Sequence, residues 1–118
     1  MPSVDVFKHD PHLQHGTPGT VLFSEGDAAE TMYVVVEGEV ELRLRDVVLE
    51  IAGPGSTFGE MGLLDRTTRS GTAIVRTPAK LVPIDRSRFL YLVQNTPYFA
   101  IEVMRALSRR LRRLDAAP

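Results

Sequence analysis

The 118-residue sequence predicts a mainly β domain, an antiparallel sandwich or barrel, followed by helices. Short β-rich runs separated by glycine- and proline-containing turns predict the sheets. Apolar residues recur at steps of three and four only after Asp85, which predicts the helices. We expect one domain, with an irregular lead-in over 1–19, strands over 20–84 and helices over 85–118.

The strands follow from local residue patterns. Met32–Val36 is rich in β-branched and aromatic residues, which strands prefer. Val40, Leu42 and Leu44 alternate with charged residues, so one face of that strand is expected to be buried. Further strands are predicted at 20–23, 47–52, 72–76 and 80–84. Pro83 places the last of these at a sheet edge or a bulge, because proline has no N–H to donate.

Two helices are predicted after the strands. Asp85 or Ser87 caps the first, which continues to Gln94, and Thr96 caps the second, with Pro97 at its first position. The second helix carries an apolar seam that suits packing either on the sheets or on a second copy of the chain. Of these two arrangements, the homodimer is expected. The seam consists of Met104, Leu107, Leu111 and Leu114. Five arginines on the other faces, Arg105, Arg109, Arg110, Arg112 and Arg113, predict a solvated surface.

The composition excludes several classes of protein. The formal net charge is −1, so no overall field attracts nucleic acid or an acidic membrane. The sequence has no cysteine, which excludes disulfides, thiolate metal sites and thiol nucleophiles. No apolar run reaches the length of a membrane span, and no signal segment is present, so a cytoplasmic location is expected. His9, His12 and His15 are expected to be exposed rather than to bind a metal.

The stretch 58–73 has the pattern of an anion receptor. Gly59 and Gly62 interrupt any regular strand, and a single helical turn is predicted over about Glu60 to Leu64. The N-terminus of such a turn offers free amides, and Arg69 adds a fork that matches two phosphate oxygens. Glu60 would repel a bare phosphate, so the ligand is expected to carry a hydroxyl as well as an anion.

This stretch closely resembles the phosphate-binding cassette of cyclic-nucleotide-binding domains. The matching residues are Phe58-Gly59-Glu60-Met61-Gly62-Leu63-Leu64, a four-residue loop, and Arg69-Ser70-Gly71-Thr72. Gly71 departs from the alanine that is usual in the family, and Thr68 stands where proline is common. The resemblance covers about 20–114 and implies an eight-stranded antiparallel β-roll with a short cassette helix and two C-terminal helices. Because the lead-in is short for the family, we expect a truncated member or a piece of a longer chain.

The resemblance also implies the ligand and the role of each residue. The ligand would be cyclic AMP or cyclic GMP, with no metal and no other cofactor. Arg69 and Ser70 would bind the cyclic phosphate, the amides of Met61 and Gly62 would complete its cradle, and Glu60 would accept from the ribose 2′-hydroxyl. Gly59 and Gly62 would let the ligand approach the backbone.

The base would lie among apolar residues. Leu42 and Leu49 correspond to positions near the base in the family, although both also suit an ordinary core. A lid over the base is expected from Leu114 and Asp115. The hydroxyl of Ser70 is compatible with either base, so the choice between adenine and guanine stays open.

Three other functions fit the sequence less well. A cupin-like metal enzyme would need clustered histidines among the strands, whereas all three histidines precede the main strands. A sensor fragment of a transcription regulator would need a DNA-binding part outside this sequence. A module that keeps the fold without binding nucleotide is disfavoured by the presence of both Glu60 and Arg69. The favoured interpretation is a non-catalytic regulatory domain that relays ligand binding through its last helix.

Overall fold

The computed structural model describes residues 7–65 and 68–116, with side chains as far as Arg113. Its eight strands are β1 (Gln14–Gly16), β2 (Val21–Phe23), β3 (Thr31–Glu37), β4 (Val40–Leu44), β5 (Val47–Ala52), β6 (Thr57–Phe58), β7 (Thr72–Val75) and β8 (Ala79–Asp85). The helices are α1 (Glu60–Asp65), α2 (Arg86–Asn95) and α3 (Pro97–Ala116). The predicted mainly β fold, with a short helix and two C-terminal helices, is confirmed.

The strands form two four-stranded antiparallel sheets, in the orders β1-β8-β3-β6 and β2-β7-β4-β5. Strand β3 is buried on both faces, which explains its almost continuous apolar sequence. Met32 and Val34 pack with the helices, whereas Val35 packs in the core between the sheets. The helix-side core also contains Phe99 and Val103 of α3, so this helix is held against the first sheet.

Two strands were not predicted from local sequence. β1 lies in the lead-in, for which the sequence predicts irregular structure, and it pairs with residues 79–81 of β8. β6 has two residues and pairs with β3 at Tyr33 and Val34. Both strands exist because a neighbouring backbone supplies hydrogen bonds, and the types of their own residues do not show this.

Strand β8 confirms the interpretation of Pro83. The short β1 pairs only with Ala79–Leu81, so at Pro83 strand β8 has a neighbour on one side, β3. Helix α2 begins after Asp85, whose carboxylate accepts a hydrogen bond of 2.8 Å from the Arg88 amide, as expected of an N-cap.

The structure divides the predicted apolar seam of α3 between two faces of the helix. Leu107 packs against the helix-side core, whereas Met104 and Leu111 are 59% and 62% exposed. Ile101 joins these two on the outer face, so the exposed apolar stripe of α3 consists of Ile101, Met104 and Leu111. The side chain of Leu114 lies outside the described residues.

Two findings bear on partners. Among the described residues no three His, Cys, Asp or Glu side chains are grouped so that they could hold a metal ion. None of the described helices is long and apolar enough to cross a membrane.

Candidate functional site

The turn before α1 depends on Gly59. Its φ is +82°, a left-handed conformation that residues with a side chain rarely adopt. A Cβ at this position would also lie 2.8 Å from Nη1 of Arg69 and 3.3 Å from the carbonyl oxygen of Thr31. Glycine therefore lets the chain turn into α1 while the Arg69 guanidinium lies directly against the turn.

Arg69 is fixed at both its backbone and its side chain. Its amide donates to the carbonyl of Asp27, and its carbonyl accepts from the amide of Gly26. In the side chain, Nη1 donates to the carbonyl of Gly59 at 3.0 Å and Nη2 donates to the carbonyl of Thr31. The whole residue is only 7% exposed. Arg69 is thus a buried residue that is held in place by the fold.

Two further contacts define the electrostatics of Arg69. The guanidinium carbon lies 4.0 Å from the centroid of the Phe23 ring, a cation–π geometry. Burial lowers the pKa of Arg69 from its ordinary value, although arginine stays protonated in proteins. No carboxylate among the described residues forms a salt bridge with this guanidinium. Among the described residues its positive charge is balanced by carbonyl dipoles, an aromatic ring and the carboxylates of Asp27 and Glu60, which lie beyond salt-bridge distance.

Glu60, the first residue of α1, is fully buried. Its Oε1 forms an ion pair with Nη1 of Arg110 on α3. Burial raises the pKa of the Glu60 carboxyl, and the charge of Arg110 opposes this effect without overcoming it. The acid predicted to bind a ribose hydroxyl is thus already joined to the last helix.

Arg110 connects α3 to three elements of the β-roll. Its Nη2 donates to the carbonyl of Thr57 at 2.6 Å, and its Nε lies 3.3 Å from Oε1 of Glu50. Glu50 is 8% exposed and also accepts from Nη1 of Arg113 at 3.3 Å. Two buried carboxylates therefore share Arg110, and Arg113 adds a second positive charge beside Glu50.

These residues surround one cavity of about 190 Å³. Its lining includes Phe23, Leu42, Leu49, Phe58, Gly59, Glu60, Met61, Gly62, Arg69, Ser70 and Arg110. Three buried side-chain atoms among the described residues have no hydrogen-bond partner: Oγ1 of Thr57, Oε2 of Glu60 and Nε of Arg69. The last two belong to residues of the cavity wall, and they provide one acceptor and one donor. An unsatisfied buried polar atom is costly unless a ligand or water completes it.

The structure brings together eight of the ten predicted site residues. Leu42, Leu49, Gly59, Glu60, Met61, Gly62, Arg69 and Ser70 all line the cavity. Leu114 and Asp115, the expected lid, fall within α3, but their side chains lie outside the described residues. A Cβ on Gly62 would lie 2.1 Å from the Cβ of Ala29, so packing of α1 on the preceding loop also requires a small residue there.

Arg110, Arg113 and Glu50 were not predicted as site residues. The sequence predicts a solvated face for both arginines, whereas in the structure they contact the β-roll. Positions 99, 103 and 106 form the buried stripe of α3, and the same steps of three and four lead to 110 and 113. The helical period could therefore have shown that the buried stripe becomes charged where it crosses the cavity. Glu50 lies opposite Leu42 across β4 and β5, on the same face of the sheet.

Comparisons with known proteins agree with this architecture. Residues 13–96 match the sequence profile of the cyclic nucleotide-binding domain. The chain is 34% identical over 102 residues to the cyclic AMP receptor protein of Thermus thermophilus, covering 82% of this chain and 47% of that protein. It is 30% identical over 102 residues to a cAMP-activated global transcriptional regulator of Mycobacterium tuberculosis, covering 82% of this chain and 46% of that protein.

One solved structure matches over nearly its whole length. It was described with a cyclic-GMP-dependent signalling pathway of bacterial phytopathogenesis, and it superposes with a TM-score of 0.78 at 28% identity. The match covers 94% of this chain and 93% of that one. By contrast, the chain spans about half the length of the curated relatives named above.

Proposed function

Because this chain belongs to the cyclic nucleotide-binding domain family, we propose that it binds a purine cyclic nucleotide in the cavity between α1, β5 and α3. The observation that carries the proposal is the pair of unpartnered buried atoms, Nε of Arg69 and Oε2 of Glu60. A cyclic nucleotide supplies an anionic phosphate for the first and a ribose hydroxyl for the second. We propose a cytoplasmic regulatory domain without catalytic activity, like the regulators among its relatives.

Arg69 would bind the phosphate with the edge that contains Nε. Nη1 donates to the carbonyl of Gly59, whereas Nη2 contacts both the carbonyl and, at 3.4 Å, the hydroxyl oxygen of Thr31. Nε has no partner among the described residues and would donate to a phosphate oxygen, and the second N–H of Nη1 would add to the charged contact. Ser70 and the amides at the start of α1 would complete the contacts with the anion.

Glu60 would couple the ribose to α3. The 2′-hydroxyl would donate to Oε2, which has no partner in the described part of the chain, while Oε1 keeps Arg110. Since Arg110 also lines the cavity, a bound ligand would change the position of this side chain and hence the docking of α3. A ligand shifts such an equilibrium only by its difference in affinity for the two states.

Calorimetric titration tests this proposal. We expect the wild-type chain to bind cyclic AMP, cyclic GMP or both, and Arg69→Ala to lose about 10²-fold or more in affinity, as charged hydrogen bonds of about 1.5–3 kcal/mol are lost. Arg76→Ala is the matched control, because Arg76 is exposed and its only described ion pair, with Glu39, measures 4.0 Å. Equal affinity of wild type and Arg69→Ala would reject the proposed phosphate contact. Absence of binding to either nucleotide would indicate a fold that no longer binds them.

We also propose that the exposed apolar stripe of α3 joins two copies of the chain. Ile101, Met104 and Leu111 recur at steps of three and seven, the spacing of a short coiled-coil seam. Met104→Glu would place a charge in that seam and should shift the mass in sedimentation equilibrium from dimer to monomer. Arg105→Glu, also on the exposed side of α3, is the control. A wild-type chain that is monomeric at all concentrations would reject the dimer.

A further inference from the structure

Arg113 of α3 contacts the wall of the cavity at Leu49. It follows Arg110 by about one helical turn, and its Nη1 donates to the carbonyl of Leu49 at 3.1 Å. The same nitrogen lies 3.3 Å from Oε1 of Glu50. Leu49 is itself part of the cavity wall. The Arg113 side chain is 49% exposed, so it is held at its tip and still accessible.

We infer the direction of the ligand from the network of ion pairs that begins in the cavity wall and continues beside it. Arg69 marks the phosphate end and Glu60 the ribose. From Glu60 the contacts continue to Arg110, then to Glu50, and finally to Arg113. A purine extends from the ribose away from the phosphate, so its outer edge would point toward Leu49 and Arg113.

The free part of the Arg113 guanidinium has the geometry of a two-donor fork. Among the described residues, Arg113 forms hydrogen bonds only through Nη1, so Nε and Nη2 have no acceptor there. Guanine presents two acceptors side by side, O6 and N7, and a bidentate arginine is their commonest partner in protein–nucleic acid contacts. Adenine presents N7 beside an amino group, which would face an arginine donor with another donor.

We propose that Arg113 binds the O6/N7 edge of the base and makes this site prefer cyclic GMP over cyclic AMP. This inference rests on the proposed function. Glu50 contributes by holding Arg113 at Nη1, because a guanidinium that is already oriented loses less freedom when the base binds. The preference for guanine over adenine is expected to be about ten- to a hundredfold in affinity.

A cyclic inosine nucleotide distinguishes this contact from one made by Ser70. Inosine keeps O6 and N7 but lacks the 2-amino group, the group that a hydroxyl at Ser70 would bind. If Arg113 selects the base, cyclic GMP and cyclic IMP should bind within about twofold of each other. The same ligand series with the 7-deaza analogue of cyclic GMP tests N7 directly, and its affinity should fall.

The experiment is calorimetric titration of cyclic GMP, cyclic IMP and cyclic AMP into wild type, Arg113→Lys and Arg112→Lys. Lysine keeps the charge but has no fork. We expect Arg113→Lys to lose about tenfold or more for cyclic GMP and cyclic IMP while the affinity for cyclic AMP changes less than twofold. Arg112 is exposed on the same helix, so Arg112→Lys should match wild type.

Four results would overturn the inference. A wild type that prefers cyclic AMP, or an unchanged ratio of the two affinities in Arg113→Lys, excludes selection by Arg113. Much weaker binding of cyclic IMP than cyclic GMP assigns the selection to the 2-amino group instead. If wild type binds none of the three ligands, the proposed function fails and this inference fails with it. The first three results leave the proposed function intact.

Discussion

Arg69 and Arg110 line the same cavity and are both largely buried, yet their partners differ in charge. Arg69 donates to the carbonyls of Gly59 and Thr31, which are neutral. Arg110 is bound by the carboxylates of Glu50 and Glu60. Burial alone therefore does not show whether the charge of an arginine can bind a ligand. The charge of Arg69 is available to an anion, whereas that of Arg110 is already neutralised within the protein.

The balance of charge around the cavity supports this distinction. Arg43, Arg69 and Arg110 in the cavity wall and Arg113 beside it contribute four positive charges, and the ion-pair partners Glu41, Glu50 and Glu60 contribute three negative charges. The difference is one positive charge, which one cyclic phosphate would neutralise. The surplus lies at the Arg69 end, since the other three arginines are paired with carboxylates.

The largest expected effect is the loss of stability in Arg110→Ala. Removing this guanidinium leaves Glu60 buried without its ion-pair partner, which typically costs about 3–5 kcal/mol in the free energy of unfolding. Urea denaturation at neutral pH measures the change. Arg109→Ala, on the exposed side of the same helix, should stay within about 0.5 kcal/mol of wild type. If the two variants are equally stable, the carboxylates around Arg110 are not held by its charge.

A smaller loss of stability is expected in Arg69→Ala. The substitution leaves two backbone carbonyls without their donor, but it leaves no buried charge unpaired. We therefore expect a loss of about 1–3 kcal/mol in the free energy of unfolding. Lowering the pH should reduce the loss of stability in Arg110→Ala, because its unpaired carboxylates become protonated. It should not reduce the loss of stability in Arg69→Ala. Denaturation of both variants at two pH values tests the contrast. A larger loss in Arg69→Ala than in Arg110→Ala would reverse the comparison.

The smallest effect concerns the protonation of Glu60. Its pKa in the folded protein is raised above the ordinary value of 4.5, mainly by burial. As the pH rises from about 4.5 through the folded pKa, the folded state holds this proton longer than the unfolded state. Glu60 therefore lowers stability over that window, by about 1.4 kcal/mol for each unit of displacement.

Glu60→Gln tests this pH dependence, because glutamine has the same shape and does not titrate. The stability of wild type relative to Glu60→Gln should fall as the pH rises above 4.5. Asp10, whose pKa is lowered chiefly by its hydrogen bond with Arg88, acts in the opposite direction but is present in both proteins. Parallel stability curves for the two proteins would show that the pKa of Glu60 is the same folded and unfolded.

Much of the fold could be predicted because its patterns are local. The alternation in β4 and the glycine turns around it are written in consecutive residues, as are the N-cap of α2 at Asp85 and the start of α3 at Pro97. Strands β1 and β6 could not be predicted in this way, since each is defined by the strand that it pairs with. Leu107 has the same apolar character as Met104, and only the docking of α3 separates the buried residue from the exposed one.

The sequence by itself determined the class of the fold and the cassette, in which Gly59, Glu60 and Arg69 are close enough along the chain for one turn to bring them together. The helical period places Arg110 and Arg113 on the buried side of α3, but only tertiary structure decided that Arg110 lines the cavity, that Arg113 contacts its wall at Leu49 and that Glu50 binds both arginines. The physical reason is the path of α3 across the β-roll. The interacting residues are separated by 50 to 63 positions in the sequence, and they meet only where that helix crosses the β-roll. In the sequence alone, charged residues at those positions are typical of an ordinary solvated surface.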